Sequence, residues 1–247
     1  MIKKAKNLLR KFINLWGYDI VYINSQIDFY LHEYESYDQY KKVQIHFNQK
    51  KIDSVWADKT TMHKVGEIVK RNADATEIKG ICHGTRNGYE QNYLNDNFKG
   101  FEVIGTDISP TAVEYKNSVM WDFHDENKEW FGKFDFVYSN SLDQSWKPSK
   151  ALETWLNQLK KNGVLIIEHS AAHGPLSAGK MDPFGVKPTV FCHVLAGWFG
   201  HQVSVSYTKH IKSNYNNPIF LFEIKKVTYR VSCNKGISSE QFKLIQD

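Results

Sequence analysis

From Ile78 onward, short apolar runs alternate with amphipathic or polar stretches in a regular order. Ile78–Cys82, Glu102–Thr106, Met120-Trp121, Phe134–Ser139 and Val164–Glu168 read as five strands. The last of these, VLIIE, is a continuous apolar run, as expected of a strand covered on both faces. The stretches between have helical spacing: a short helix before Glu102, then Thr111–Lys116 and Ser149–Lys160, the last stopping at Lys161-Asn162-Gly163. A long loop, His169–Lys187, leads to a helix from Pro188 to Trp198. Two more strands, Gln202–Tyr207 and Pro218–Ile224, flank a polar turn at Ser213–Asn217, which predicts a hairpin and so an antiparallel edge. The pattern predicts a doubly wound, Rossmann-like α/β fold. Its mostly parallel seven-stranded sheet carries an antiparallel C-terminal hairpin strand, and a helical N-terminal cap precedes it.

Upstream the pattern changes. Lys51–Asn72 reads as one helix that buries Ile52, Val55, Trp56, Met62, Val65, Ile68 and Val69. Residues 1–50 are irregular and rich in tyrosine (Tyr18, Tyr22, Tyr30, Tyr34, Tyr37, Tyr40), which suits a small cap, a pocket cover or a partner surface. The start, MIKKAKNLLRKFINLW, is an amphipathic helix with Ala5, Leu8, Leu9, Phe12, Ile13 and Trp16 on one face. Such a helix docks on its own domain or touches an anionic membrane surface reversibly. Arg10 and Lys11 break what would be the apolar centre of a signal peptide. The expected division is an extension and cap over 1–72 and an α/β domain over 73–247.

Composition narrows the setting. A net charge of +5 over 247 residues suits an anionic or nucleotide-like ligand without singling out nucleic acid. Cys82, Cys192 and Cys233 lie far apart with no CxxC pair, so neither a disulfide framework nor a zinc site is signalled. No apolar run reaches the length of about 18 residues needed to span a membrane. The expectation is a cytoplasmic protein, with membrane association through the first helix as the alternative.

The chemistry concentrates between Glu77 and Pro110. The first strand ends in His83-Gly84-Thr85-Arg86-Asn87-Gly88, and Asp107 follows Gly84 by 23 residues at the end of the second. Glycines let backbone approach a ligand, a helix start offers unpaired N–H groups, and the acid accepts hydrogen bonds from ribose hydroxyls. This is the nucleoside-binding half of a doubly wound fold. For Gly84 and Gly88 an ordinary turn, and for Asp107 a helix cap before Ser109-Pro110, are the structural alternatives.

Gly turn, second-strand acid and closing hairpin resemble the class I S-adenosylmethionine-dependent methyltransferases over roughly Ile78–Ile224. Later landmarks follow in order: Trp121-Asp122-Phe123 after the third strand, Phe134-Asp135 opening the fourth, and Leu159-Lys-Lys-Asn-Gly163 before the fifth. The resemblance implies S-adenosyl-L-methionine as cofactor, held by His83, Gly84, Thr85, Arg86, Gly88, Asp107, Ile108 and Ser139. It places Asp122 and Phe123 on the adenine. The first motif departs from the family pattern. Gly80 stands near where a carboxylate is expected, and Cys82 and Arg86 replace glycines. The methionine end would then be held by Glu90, or by Asn48 or Gln49. Arg86 would meet the cofactor carboxylate or, four residues on, Glu90. A fainter resemblance, in the basic start running into Trp16-Gly-Tyr-Asp-Ile-Val21, is to bacterial methyltransferases of polysaccharide biosynthesis.

Methyl transfer to an alcohol needs alignment and a base. In this fold the place is beyond strands four and five, at Ser139–Trp146 and Glu168–Gly174, which makes Asp143, His169 and His173 the base candidates. Each histidine could equally cap a loop; His124 and Asp125 are weaker candidates. The expected reaction is O-methylation of a small molecule or of a sugar or glycan hydroxyl. The alternatives are a nucleotide-sugar or NAD-dependent oxidoreductase and a non-catalytic nucleotide-binding module. The first lacks a GxGxxG fingerprint, and Tyr18, Tyr30, Tyr89 and Tyr138 have no lysine four residues on; the degenerate turn favours the second. Nucleic acid is disfavoured as substrate because Ser139-Asn-Ser-Leu142 has no prolines and no cysteine. No metal site is expected: Asp143, His169 and His173 lack tight ligand spacing.

Overall fold

The computed structural model describes residues 28–73, 75–211 and 218–227. The basic N-terminal helix, Tyr18, Tyr22, Cys233, the turn at 213–217 and the tail after Val227 lie outside the described residues. In chain order the elements are β1 (Phe29–Leu31), α1 (Tyr37–Lys50), α2 (Lys59–Asn72), β2 (Ile78–His83), α3 (Tyr89–Asn97), β3 (Phe101–Asp107) and β4 (Ser118–Met120). Then come β5 (Phe134–Ser139), α4 (Pro148–Gln158), β6 (Leu159–Ser170), β7 (Phe184–Val186), α5 (Pro188–Phe199), β8 (Val203–Ile211) and β9 (Pro218–Lys226).

Seven strands form one sheet in the order β4-β3-β2-β5-β6-β9-β8. β4, β3, β2, β5 and β6 pair in parallel, and β9 is antiparallel to both of its neighbours. The expected hairpin is therefore present, but its antiparallel member lies inside the sheet. The edge belongs to β8, which runs with the others. Alternate residues fill two cores. Ile81, Val137, Leu165 and Ile167 meet Trp155 of α4 and Phe191 of α5 on one face, while Cys82, Phe136, Val164 and Ile166 meet Met62, Val65 and Val69 of α2 and Leu94 of α3 on the other. The chain runs outward from β2 through β3 to β4, then crosses back to pair β5 with β2. That reversal opens a crevice at the carboxyl ends of β2 and β5, where open α/β sheets bind ligands.

The cap differs most from expectation. α1 falls in the stretch read as irregular, and its face toward the domain is polar: its buried residues are Tyr40 and Gln44. An apolar stripe is missing because this helix covers a polar crevice. The local signal is a capping pair, in which the Ser36 hydroxyl accepts from the Gln39 N–H at 3.2 Å and the Gln39 side chain accepts from the Glu35 N–H at 2.8 Å. The helix expected from Lys51 begins only at Lys59, because Asp58 caps it by accepting from Thr61 N–H at 2.8 Å. Val55 is consequently exposed and Trp56 stands in a loop. β1 pairs antiparallel with β7, so the cap is tied to the long loop after β6. The stop expected at Gly163 is placed differently too. α4 ends at Gln158, β6 starts at Leu159, and the left-handed residue is Asn162 (φ 71°).

Candidate active site

The turn after β2 is left-handed at Gly84 (φ 74°), Arg86 (φ 47°) and Gly88 (φ 77°). At Gly84 a side chain is also sterically impossible, since a Cβ would lie 2.5 Å from that of Ser141. The turn is laced to β3. Gly84 and Thr85 N–H donate to the Thr106 carbonyl at 2.8 and 3.0 Å, and Arg86 N–H donates to Asp107 Oδ2 at 2.9 Å. Asp107 Oδ1 accepts from Ser109 N–H at 2.9 Å. Burial raises the Asp107 carboxyl above its ordinary range, against the lowering effect of these N–H groups, of Arg86 and of the Asn48 side chain. A carboxylate has about four lone-pair positions, so it retains acceptor capacity toward hydroxyls. Ile108, beside it, is half-buried.

Asp122 stands across the crevice, and α1 reaches over both acids. Tyr37 O–H donates to Asp122 Oδ2 at 2.6 Å. Oδ1 accepts from His124 N–H at 2.9 Å and lies 2.7 Å from His124 Nδ1, while His124 Nε2 lies 2.6 Å from the Ser145 hydroxyl. A ring donating from Nδ1 and accepting at Nε2 satisfies both. Burial alone would raise Asp122; the bonds from His124 and Tyr37 outweigh it and hold the carboxyl below the usual range. Tyr40 stacks on Trp146 with ring centres 5.6 Å apart, sealing this end. Only about 10 Å³ of space remains where Gln44, Phe47 and Asn48 of α1 face Arg86 and Asp107.

The other end of the crevice is open. A cavity of about 220 Å³ lies between the Gly84–Asn87 turn, Glu90, the Asn140–Gln144 segment, Lys51–Trp56 and the loop carrying His173, Met181 and Asp182. Burial pushes Glu90, Asp143 and Asp182 each up to about 7; in Asp182 the Asp143 charge adds to it, and in Asp143 the Lys51 and Arg86 charges oppose it. Glu90 Oε2, Asp143 Oδ1 and Arg86 Nε are buried without a hydrogen-bond partner. His173 Nε2 is 3.9 Å from Asp143 Oδ2, and its ring packs 5.1 Å from that of Trp56.

Of the residues expected from sequence, Gly84, Thr85, Arg86, Asp143 and His173 meet in this cavity, and Asp107 lies beside it. His83 does not reach it. Its ring stacks on Trp155, bridges Thr106 Oγ1 and Gln158 Oε1 at 2.8 Å each, and is lowered to about 4 by burial. His169 is likewise a core residue, stacked on Phe191 and bonded to the Val186 carbonyl at 2.9 Å, with burial lowering it to about 3. Ser139 is buried and spends its hydroxyl on the His83 carbonyl at 3.0 Å. Gly88 caps α3, and Phe123 packs edge-on to Trp155 with one ring atom 3.8 Å from the Cβ position of Gly84. The expected Arg86–Glu90 helix pair does not form among the described residues. Arg86 precedes α3 and donates instead to the Ser54 carbonyl at 2.9 Å. Lys51, Trp56 and Asp182 had no motif to mark them; the tyrosine density of the cap hinted at Tyr37, and Asn140 lay within the Ser139–Trp146 segment without being singled out. No group of His, Cys, Asp and Glu suited to a metal ion occurs among the described residues.

Residues 81–167 match a family model described as "Methyltransferase domain". No curated protein sequence matches the chain. Among solved structures, the Burkholderia thailandensis 1,6-didemethyltoxoflavin-N1-methyltransferase, with bound 1,6-didemethyltoxoflavin and S-adenosylhomocysteine, is similar. The TM-score is 0.62 at 13% identity, over 84% of this chain and 99% of that one. The plantazolicin methyltransferase BpumL, in complex with a triazolic desmethylPZN analog and SAH, gives 0.58 at 12%, over 77% and 96%. The [4+2]-cyclase SpnF gives 0.52 at 10%, over 67% and 81%. At these identities the likeness establishes the fold, and the chemistry must come from the site.

Proposed function

We propose that this chain, whose residues 81–167 match a methyltransferase domain, is a class I S-adenosylmethionine-dependent methyltransferase that methylates a hydroxyl of a polar small molecule or sugar in the cavity beside the Gly84 turn. The observation that carries the reading is the placement of His173 and Asp143 together on the cavity that the turn borders. The residues fit the cofactor. Asp107 and Asp122 are carboxylates at or just past strand ends, suited to hydroxyl and amino donors of a nucleoside, and the unpartnered Glu90 and Arg86 atoms on the cavity would suit its amino-acid end. When bound, S-adenosylmethionine supplies a sulfonium methyl group for in-line displacement.

The chain's own part is binding, orientation and proton transfer. The β2–β3 hydrogen bonds fix the turn and Asp107 in one geometry. His173 takes the hydroxyl proton of the acceptor at an imidazole nitrogen, and the Asp143 carboxylate, 3.9 Å away, favours the imidazolium that results. Trp56 and the loop carrying Met181 and Asp182 line the cavity opposite the turn. For a nucleoside to reach Asp107 and Asp122, α1 has to withdraw Asn48 and Tyr37, whose side chains hold those two carboxylates. The polar lining favours hydroxylated acceptors such as sugars over flat apolar ones.

Methyl transfer from radiolabelled S-adenosylmethionine to a panel of hydroxylated acceptors, sugars first, tests this reading. Label on an acceptor oxygen that disappears in His173→Ala supports it. Label on nitrogen or carbon, or turnover indifferent to His173, overturns it.

A further inference from the structure

We infer that Glu90 receives the α-ammonium of the cofactor's amino-acid end, a role for which β2 has no acid. This assignment rests on the methyltransferase reading above and deepens it. Gly80 cannot take the part, because a Cβ there would lie 2.1 Å from an atom of the Phe136 ring. The strand has exchanged a side chain for a packed phenyl group, and the charge has to come from another element.

Glu90 lies in the first turn of α3, is only 6% exposed and lines the cavity. Its Oε1 accepts from Asn140 Nδ2 at 3.1 Å, which fixes the carboxyl plane, and its Oε2 has no partner. A buried carboxylate oxygen left unpaired is costly unless a donor fills it. Among the described residues no cation bonds to it: Arg86 donates to the Ser54 carbonyl, and its buried Nε is unpartnered as well. An unspent acceptor and an unspent guanidinium nitrogen on one cavity wall are complementary to a zwitterion, with its ammonium on Glu90 and its carboxylate toward Arg86. Asp143, which also lines this cavity with an unpartnered oxygen, is set toward His173 instead.

The test is calorimetric titration at pH 8 with S-adenosylhomocysteine and with its analogue lacking the α-amino group, on wild-type protein and Glu90→Gln. Loss of a charge-assisted bond to a buried carboxylate predicts about ten- to hundredfold weaker S-adenosylhomocysteine binding in the variant. The desamino analogue should bind both proteins within about twofold of each other, which also reports that the variant is folded. Equal losses for both compounds, or none for S-adenosylhomocysteine, overturn the assignment while leaving the methyltransferase reading intact. Wild-type protein that binds neither compound overturns the two together.

Discussion

The two ends of the crevice are finished differently. At the Asp107–Asp122 end the chain supplies its own donors. Backbone N–H groups, His124, Tyr37 and Asn48 engage the acids, and α1 leaves almost no space. At the Glu90–Asp143 end the acids keep unpartnered oxygens on a cavity of about 220 Å³. The same residue type, a buried carboxylate at the edge of one sheet, thus ends below its usual range at Asp122 and up to about 7 at Glu90 and Asp143. The bonds from His124 and Tyr37 hold Asp122 low, whereas Asp107 at the same end stays raised by burial despite its own donors. A site half satisfied by its own cap binds its nucleoside only in competition with that cap, whereas the other half is set to respond to whatever charge enters it.

The largest effect expected is at the open end. His173→Ala should lower kcat by about 10²–10⁴-fold, the usual range for removing a general base, with S-adenosylhomocysteine affinity unchanged in calorimetry. A comparable loss of affinity would instead make His173 a cofactor contact. Next is a pH effect. Burial raises Glu90 to about 7, opposed by its backbone N–H, Asn140 and Arg86 and reinforced by Glu168. An ammonium needs the ionised form, so S-adenosylhomocysteine affinity should fall about tenfold per unit as the pH drops below 7. Glu90→Gln should flatten that profile, and a wild-type profile flat from pH 6 to 8 would contradict it.

How much of this contrast was legible in sequence depends on which forces act locally. The strands announced themselves because β2, β5 and β6 are covered on both faces and so read as apolar runs; the turn and Asp107 announced themselves by glycine and spacing. The cap did not, because α1 buries Tyr40 and Gln44 against a polar crevice and shows no apolar stripe. His83 and His169 looked chemical, but the aromatic rings that enclose them, Trp155 and Phe191, come from helices 72 and 22 residues away in the sequence. Glu90 could be named as a candidate from the missing acid at Gly80. Why that acid is missing needed the Phe136 ring, which only the pairing of β2 with β5 brings there.

Smaller effects are expected at the closed end and in stability. Tyr37→Phe removes the phenol from Asp122 and should tighten S-adenosylhomocysteine binding about threefold to tenfold, the worth of one net hydrogen bond released from competition. Unchanged or weaker binding would mean that Tyr37 helps to hold the ligand. The smallest effect is on stability. Asp143 has a folded-state value near 7, raised from 3.8. Its ionisation cost is therefore absent below the unfolded value, grows as pH rises and is complete above 7. Asp143→Asn should raise Tm by a few degrees at pH 8 and by less at pH 5 while lowering activity. An equal shift at both pH values would remove ionisation as the cause.

The expectations above for binding and turnover all require that the Gly84 turn and Asp107 hold an S-adenosyl nucleoside. Calorimetric titration of the full chain with S-adenosylhomocysteine, alongside Asp107→Ala and with NAD in parallel, tests it most directly. The expected result is saturable binding of one S-adenosylhomocysteine, weakened at least about thirtyfold by the substitution through loss of its hydrogen bonds to a buried carboxylate, and no NAD binding. Binding of NAD instead, or S-adenosylhomocysteine binding indifferent to Asp107, would contradict it.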